Sequence, residues 1–308
     1  MGEQRAVPDR ARHRSSLLPG FLLAALLTGG CTVNEPSASA APLRATPTPV
    51  ALATPSVKPS PTSSPSTVAP AEAGGAYLAI GDSVTFGIGV PQPRRDGFPA
   101  LLADRLATAD PPITETRVFA VPGETASGFL ERRLDDVLVA IDELGDRVEL
   151  VTIGLGANEL LRVRREPTCE VDPNGAACIA AVSNATVEAA AALETVVANV
   201  QQALDDYGST ARVLVLAYYN PDVDPIAAST IVGTDGVVAC EPADTTPGLN
   251  DRIACVADAR GVELVDLYAA FLGHEDELTR IGDGDVHPNE QGHAVIAATI
   301  AATLGVAP

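Results

Sequence analysis

One serine in the chain is seated for nucleophilic attack, and one histidine has carboxylates beside it. Ser83 stands in Gly81-Asp82-Ser83, followed by Val84-Thr85-Phe86-Gly87, directly after the apolar run Tyr77 to Ile80. A serine at a strand-to-helix turn is exposed at the sheet edge, near helix N-terminal amides that stabilise developing negative charge. Alone the tripeptide says little, because Asp and Ser are also common helix caps. The elbow G-x-S-x-G is not met, since Thr85 stands where its last glycine belongs. The base must come from His13, His274, His287 or His293. His13 belongs to a segment read below as removed. His274 lies in the polar stretch Gly273-His274-Glu275-Asp276 and reads as solvated, while His293 opens an amphipathic helix and reads as packing or a local hydrogen bond. His287 sits in Gly282-Asp283-Gly284-Asp285-Val286-His287-Pro288-Asn289, a tight loop entering that helix. An aspartate bonded to one imidazole nitrogen would fix the tautomer and stabilise the imidazolium formed when a serine gives up its proton.

Such chemistry also needs donors for an oxyanion. Two segments offer them: Val121-Pro122-Gly123-Glu124-Thr125, and Gly154-Leu155-Gly156-Ala157-Asn158-Glu159. Glycine lets its backbone N–H approach a ligand closely, and an asparagine amide adds a further donor. The pair Gly154 and Gly156 lacks a third glycine, Glu159 occupying that position, so the dinucleotide-binding fingerprint fails.

These segments need a scaffold. Short apolar runs at Tyr77 to Ile80, Arg117 to Val121, Glu149 to Ile153, Arg212 to Ala217 and Val262 to Leu267 read as buried strands. Helical patterns lie between and after them: Phe98 to Ala107, Leu134 to Leu144, Ile179 to Tyr207, Leu249 to Arg260 and Gln291 to Leu304. This alternation predicts an α/β fold, a three-layer α/β/α sandwich on a five-stranded parallel sheet, with the site at the strand C-terminal ends. The domain is expected over residues 76–308.

Taken together and in order, the blocks around Ser83, Gly123, Asn158 and His287 resemble those of the SGNH hydrolase superfamily, also called the GDSL lipase/esterase family, over about residues 76 to 304. The resemblance implies that Ser83 is nucleophile and first oxyanion donor, Gly123 the second donor, Asn158 the third, and His287 the base. It implies hydrolysis of carboxylic esters through an acyl-enzyme, with no metal or cofactor. Tyr218-Tyr219-Asn220-Pro221 and Asp285-Val286-His287-Pro288-Asn289 look like the extracellular bacterial esterases of that family. Two departures stand out. Glu159 replaces the aspartate of the usual GxND, and Gly284 replaces that of the usual DxxH. Asp285, Asp283 or a backbone carbonyl could orient His287; Asp285 is preferred because Asp-x-His-Pro is itself similar to family sequences. The departure at 284 leaves an idle surface binding module as an alternative. A further alternative is an O-deacetylase acting on cell-envelope polysaccharide.

The N-terminus addresses the chain elsewhere. Arg5, Arg10, Arg12 and Arg14 precede the apolar run Leu17 to Leu27, which ends in Thr28-Gly29-Gly30-Cys31. That is a signal-peptide pattern, too short for an ordinary membrane span. It resembles the lipobox of bacterial lipoproteins, with Thr28 departing from the usual leucine and Cys31 as the lipidated residue. The expectation is a lipoprotein signal over 1–31 and membrane attachment through Cys31, so that the protein is lipid-anchored in the bacterial cell envelope or secreted. Residues 32–75, with nine prolines among many Ser, Thr and Ala, read as a disordered linker. The tether alone also admits a solute-binding lipoprotein, which would show a two-domain hinge. Four further cysteines, Cys169, Cys178, Cys240 and Cys255, are an even set in a disulfide-permissive compartment. Their short separations suggest 169 with 178 and 240 with 255, a zinc site being the rival.

Charge excludes one class of partner. Residues 76–308 hold 14 basic and 36 acidic side chains, a net charge of −22. Such a surface repels phosphate backbones and rules against non-specific nucleic-acid binding. Ester-bearing small molecules, lipids or polysaccharides are the expected substrates.

Overall fold

The computed structural model describes residues 74–220, 230–231, 233, 236–240 and 246–306. The signal segment, Cys31 and nearly all of the expected linker lie outside the described residues. The first strand begins at Gly75, at the linker's expected last residue.

Five strands form one sheet: β1 (Gly75–Gly81), β2 (Ile113–Ala120), β3 (Val148–Gly154), β4 (Arg212–Ala217) and β5 (Glu263–Asp266). They are all parallel, in the order β2-β1-β3-β4-β5. This single sheet opposes the two-domain solute-binding alternative. β2 starts four residues before the apolar run that announced it, because Ile113, Glu115 and Thr116 pair with β1 although two of them are polar. A two-stranded antiparallel ribbon, β6 (Thr279–Arg280) with β7 (Asp285–Pro288), was not foreseen. It is too short and polar to leave a period-2 trace.

The helices between β1 and β3 are α1 (Ser83–Phe86), α2 (Pro93–Asp96), α3 (Phe98–Leu106), α4 (Ala126–Arg132) and α5 (Leu134–Leu144). After β3 come α6 (Ala157–Arg164), α7 (Pro167–Val171) and α8 (Ala176–Asp206). The described helices after β4 are α9 (Leu249–Arg260), α10 (Leu267–Phe271), α11 (Glu275–Leu278) and α12 (Glu290–Thr303).

Strand side chains alternate between the two faces, so each face acquires its own core. Leu78, Ile80, Val151, Ile153, Val213 and Val215 pack with α4, α5, α8 and α9. Tyr77, Ala79, Leu150, Leu214 and Leu216 pack with α3, α10 and α12. Burial of each such large side chain stabilises the fold by about 1.5–3 kcal/mol. α8 is long and apolar enough by composition to cross a membrane. Its residues Val182, Ala185, Ala189, Leu193, Val196, Val200 and Leu204 are buried at helical spacing, so in this fold it is a core helix. Both expected disulfides form, Cys169–Cys178 and Cys240–Cys255. That consumes the thiols a zinc site would have used, and no group of three metal-ligating side chains occurs among the described residues.

Candidate active site

Register levels the ends of the central strands. Gly81 pairs with Ala120 of β2 and with Gly154 of β3. Ser83, Gly123 and Asn158 therefore emerge from neighbouring loops at one edge. In a 2-1-3-4-5 sheet the crevice opens between β1 and β3, where chain direction reverses across the sheet. Ser83 and Asn158 follow these two strands.

Ser83 is the first residue of α1, and its neighbour Asp82 caps that turn, accepting from Val84 N at 2.9 Å. His287 Nε2 lies 2.8 Å from Ser83 Oγ, across 204 residues of chain. Its Nδ1 lies 2.5 Å from Asp285 Oδ1, and the same oxygen accepts from the His287 backbone N–H at 3.2 Å. A carboxylate only accepts, so Nδ1 carries the proton and the Nε2 lone pair faces Ser83. Partial burial pushes the Asp285 carboxyl up, but hydrogen bonds from the His287 ring and backbone outweigh it, and the net direction is down. Asp283 takes no part: its carboxylate points to Arg280 at 3.6 Å. The Asp285 geometry fills the place that Gly284 leaves empty, because β7 turns residue 285 back onto the imidazole.

The donors are arranged opposite. Among the described residues, no hydrogen bond runs from the backbone N–H of Ser83 or of Gly123 to a protein acceptor. Gly123 has φ +79°, a conformation that favours glycine, and a Cβ there would meet nothing within 4 Å, so glycine is required there by the backbone and not by crowding. Asn158 Nδ2 donates to Glu124 O at 2.9 Å and faces Asp82 Oδ2 at 3.3 Å. Glu159 Oε1 accepts from Ala126 N at 2.7 Å and Ser127 N at 3.3 Å, tying the Asn158 helix to the turn that holds Gly123. The longer side chain thus still makes a supporting bond. Burial pushes its carboxyl up, and its Oε2 is one of two buried side-chain oxygens without a partner among the described residues.

Several residues whose roles the sequence did not disclose complete the site. Asp82, 2% exposed, accepts at Oδ2 from the Tyr218 hydroxyl at 2.9 Å. Burial pushes its carboxyl up to about 6, against the opposing pull of the Val84 N–H, the Tyr218 hydroxyl and the His287 charge. The next residue, Tyr219, turns the other way and donates to Val286 O at 2.9 Å, beside the histidine. His293 is wholly buried, accepting from Phe98 N at 3.2 Å and donating to Ile88 O at 3.0 Å, a packing and bonding role as expected. That fixes the loop bearing Gly89, where a Cβ would collide with the Pro288 carbonyl under His287. His274 is exposed beside Glu277. The sequence marked Tyr218 and Tyr219 through the family-like segment Tyr218-Tyr219-Asn220-Pro221 after the fourth strand, but not through any bond they make.

Beside Ser83 opens a cavity of about 70 Å³, whose described lining includes Val84, Leu160, Leu161, Tyr218, Ile231 and Val286. Its wall is mostly apolar. The parallel sheet thus carries a hydrogen-bonded array of Ser83, His287 and Asp285 at its C-terminal edge. The chain belongs to the GDSL-like lipase/acylhydrolase family, whose model matches residues 79–295. The fold is that of an acetylxylan esterase from Geobacillus stearothermophilus, 18% identical, covering 75% of this chain and 94% of that one with a TM-score of 0.52. A phospholipase A1 from Streptomyces albidoflavus NA297 is 22% identical, with 75% and 99% covered and a TM-score of 0.52. A lipase from a goat rumen metagenome is 20% identical, with 74% and 96% covered and a TM-score of 0.52. No curated protein matches the sequence.

Proposed function

We propose that the protein is an exported serine esterase that cleaves carboxylic esters of short acyl groups. The observation that carries this reading is the His287 imidazole, bonded to Asp285 on one nitrogen and 2.8 Å from Ser83 Oγ on the other. In acylation, His287 Nε2 takes the Ser83 proton as Oγ bonds to the ester carbonyl carbon. The carbonyl oxygen becomes an oxyanion, received by the N–H groups of Ser83 and Gly123 and by the Asn158 amide. One Asn158 hydrogen is committed to Glu124 O, while the other rests against Asp82 at a longer distance that an oxyanion can contest. Collapse breaks the ester C–O bond, and the imidazolium returns its proton to the leaving alkoxide. Water, deprotonated by His287, then releases the acid and restores Ser83. The cavity beside Ser83 is small and mostly apolar, which supports a short acyl chain.

Export and anchoring are supported by the signal-like N-terminus with Cys31. The two disulfides agree with an oxidising compartment. The test is hydrolysis of p-nitrophenyl acetate, butyrate and palmitate by the full chain, beside fluorophosphonate labelling. Turnover favouring the short esters, with the label on Ser83, is expected. An unlabelled Ser83 would sink the reading in favour of an idle binding module.

A further inference from the structure

We propose that the Tyr218 hydroxyl is a positioning group for the oxyanion hole, acting through Asp82 on the Asn158 amide. This rests on the assignment of Asn158 as an oxyanion donor.

Three observations carry it. First, one carboxylate oxygen, Asp82 Oδ2, faces both the Tyr218 hydroxyl at 2.9 Å and Asn158 Nδ2 at 3.3 Å. The shorter bond satisfies that oxygen and lowers its pull on the amide, so the second Asn158 hydrogen stays available to a developing oxyanion. Without the hydroxyl, the carboxylate would draw that hydrogen in and hold it, which is the wrong partner for catalysis. Secondly, Tyr218 is itself held. Its N–H donates to Asn250 Oδ1 at 2.8 Å and its carbonyl accepts from Asn250 Nδ2 at 2.7 Å, a two-point bond to the fully buried asparagine of α9. The hydroxyl therefore reaches Asp82 from a backbone anchored on β4 and α9, not from a free loop. Thirdly, all of these groups are buried, Asn158 being 9% exposed, so bulk water competes only weakly for the bonds between them. At low local dielectric such a chain of bonds acts as a unit. Tyr218 keeps its proton, because burial and the nearby Asp82 charge both push its ionisation up.

The test is a double-mutant cycle on the full chain with p-nitrophenyl acetate. Tyr218→Phe removes one oxygen and keeps the ring in the cavity wall. The expected result is a kcat about tenfold lower, the rate equivalent of one charge-assisted hydrogen bond, with KM within about twofold. In an Asn158→Ala background the same substitution should cost less than about twofold, since the amide through which it acts is gone. An unchanged kcat in Tyr218→Phe would overturn the inference. So would a tenfold loss that persists in full without Asn158, which would mark Tyr218 as a direct substrate contact. If Asn158→Ala alone keeps full activity, the oxyanion assignment itself falls, and the inference with it. Asp82→Asn, nearly isosteric, serves as the second variant should Tyr218→Phe fold poorly. Its kcat loss must vanish in the same background, and a loss that persists there overturns the inference.

Discussion

The two halves of the site are built differently. The half proposed to receive an oxyanion stands on the ends of β1, β2 and β3, where Asp82 is 2% exposed and Asn158 9%. The half proposed to supply the base stands on the β6–β7 ribbon, where the Asp285 side chain is 35% exposed and that of His287 22%. Strand ends in a packed sheet hold donors at fixed positions, so their stabilisation of charge needs little reorganisation as the reaction proceeds. The ribbon lacks a core of its own. It is held by the Tyr219 bond to Val286 O, the Asn289 bond to Glu277 O at 2.7 Å and the close fit of Gly89 beneath Pro288. A base that must accept and return a proton tolerates this lighter support; an oxyanion hole does not.

Variants can break this comparison. The largest effect belongs to the point where the halves meet. Ser83→Ala should lower kcat about 10⁶-fold, to the residue left by binding and the oxyanion hole, measured against p-nitrophenyl acetate. In the base half, Asp285→Asn should cost about 10³-fold, somewhat less than the roughly 10⁴ of a fully buried triad aspartate. Asp283→Asn should stay within about twofold. Equal losses in both would refute Asp285 as the group that orients His287. In the oxyanion half, Asn158→Ala should lower kcat by about 10²–10³ with little change in KM.

Asp82 gives a pH test of how deeply that half is buried. Its carboxyl is raised from the ordinary 3.8 to about 6, so between pH 4 and 6 the unfolded chain has released a proton that the folded chain still holds. Stability from this group is therefore full below about pH 4 and falls as pH rises to 6, by up to about 3 kcal/mol. The Val84 N–H, the Tyr218 hydroxyl and the His287 ring are the neighbours that oppose the effect of burial on this carboxylate. Urea unfolding should show Asp82→Asn gaining on the parent protein across that window. A difference independent of pH would mean that Asp82 ionises as it does in water. A smaller loss belongs to Tyr219→Phe, which frees the Val286 carbonyl and should cost about 1 kcal/mol of stability and a few-fold in kcat.

Legibility from sequence followed the same division. All five strands of the sheet were readable, because burial on both faces writes continuous apolar runs. Helices α5 and α9 match their expected limits residue for residue, since amphipathic periodicity survives in sequence. The ribbon was not readable, being short, polar and paired through a turn. Two four-residue segments show the limit most sharply. Gly156-Ala157-Asn158-Glu159 and Gly248-Leu249-Asn250-Asp251 share one pattern of glycine, apolar or small residue, asparagine and acid, and each opens a helix. Asn158 turns its amide to Glu124 O and Asp82, the neighbour of the serine, whereas Asn250 spends both its donor and its acceptor on the Tyr218 backbone. Nothing local separates them.

The sequence by itself determined the sheet, the order of its strands along the chain, and the residue types able to attack, accept a proton and donate to an oxyanion. These are local properties: side-chain chemistry and the periodicity of burial. It took the tertiary structure to put Asp285 and not Asp283 on the imidazole, the Tyr218 hydroxyl on Asp82 and the Tyr219 hydroxyl on the Val286 carbonyl, and to bury Asp82 between Tyr218 and Asn158. The Tyr219, Tyr218 and Ser83 contacts span 67, 136 and 204 residues of chain, while the choice of Asp285 is made two residues from the imidazole by the backbone of β7. Only the packed sheet brings such distant groups within a hydrogen bond of one another.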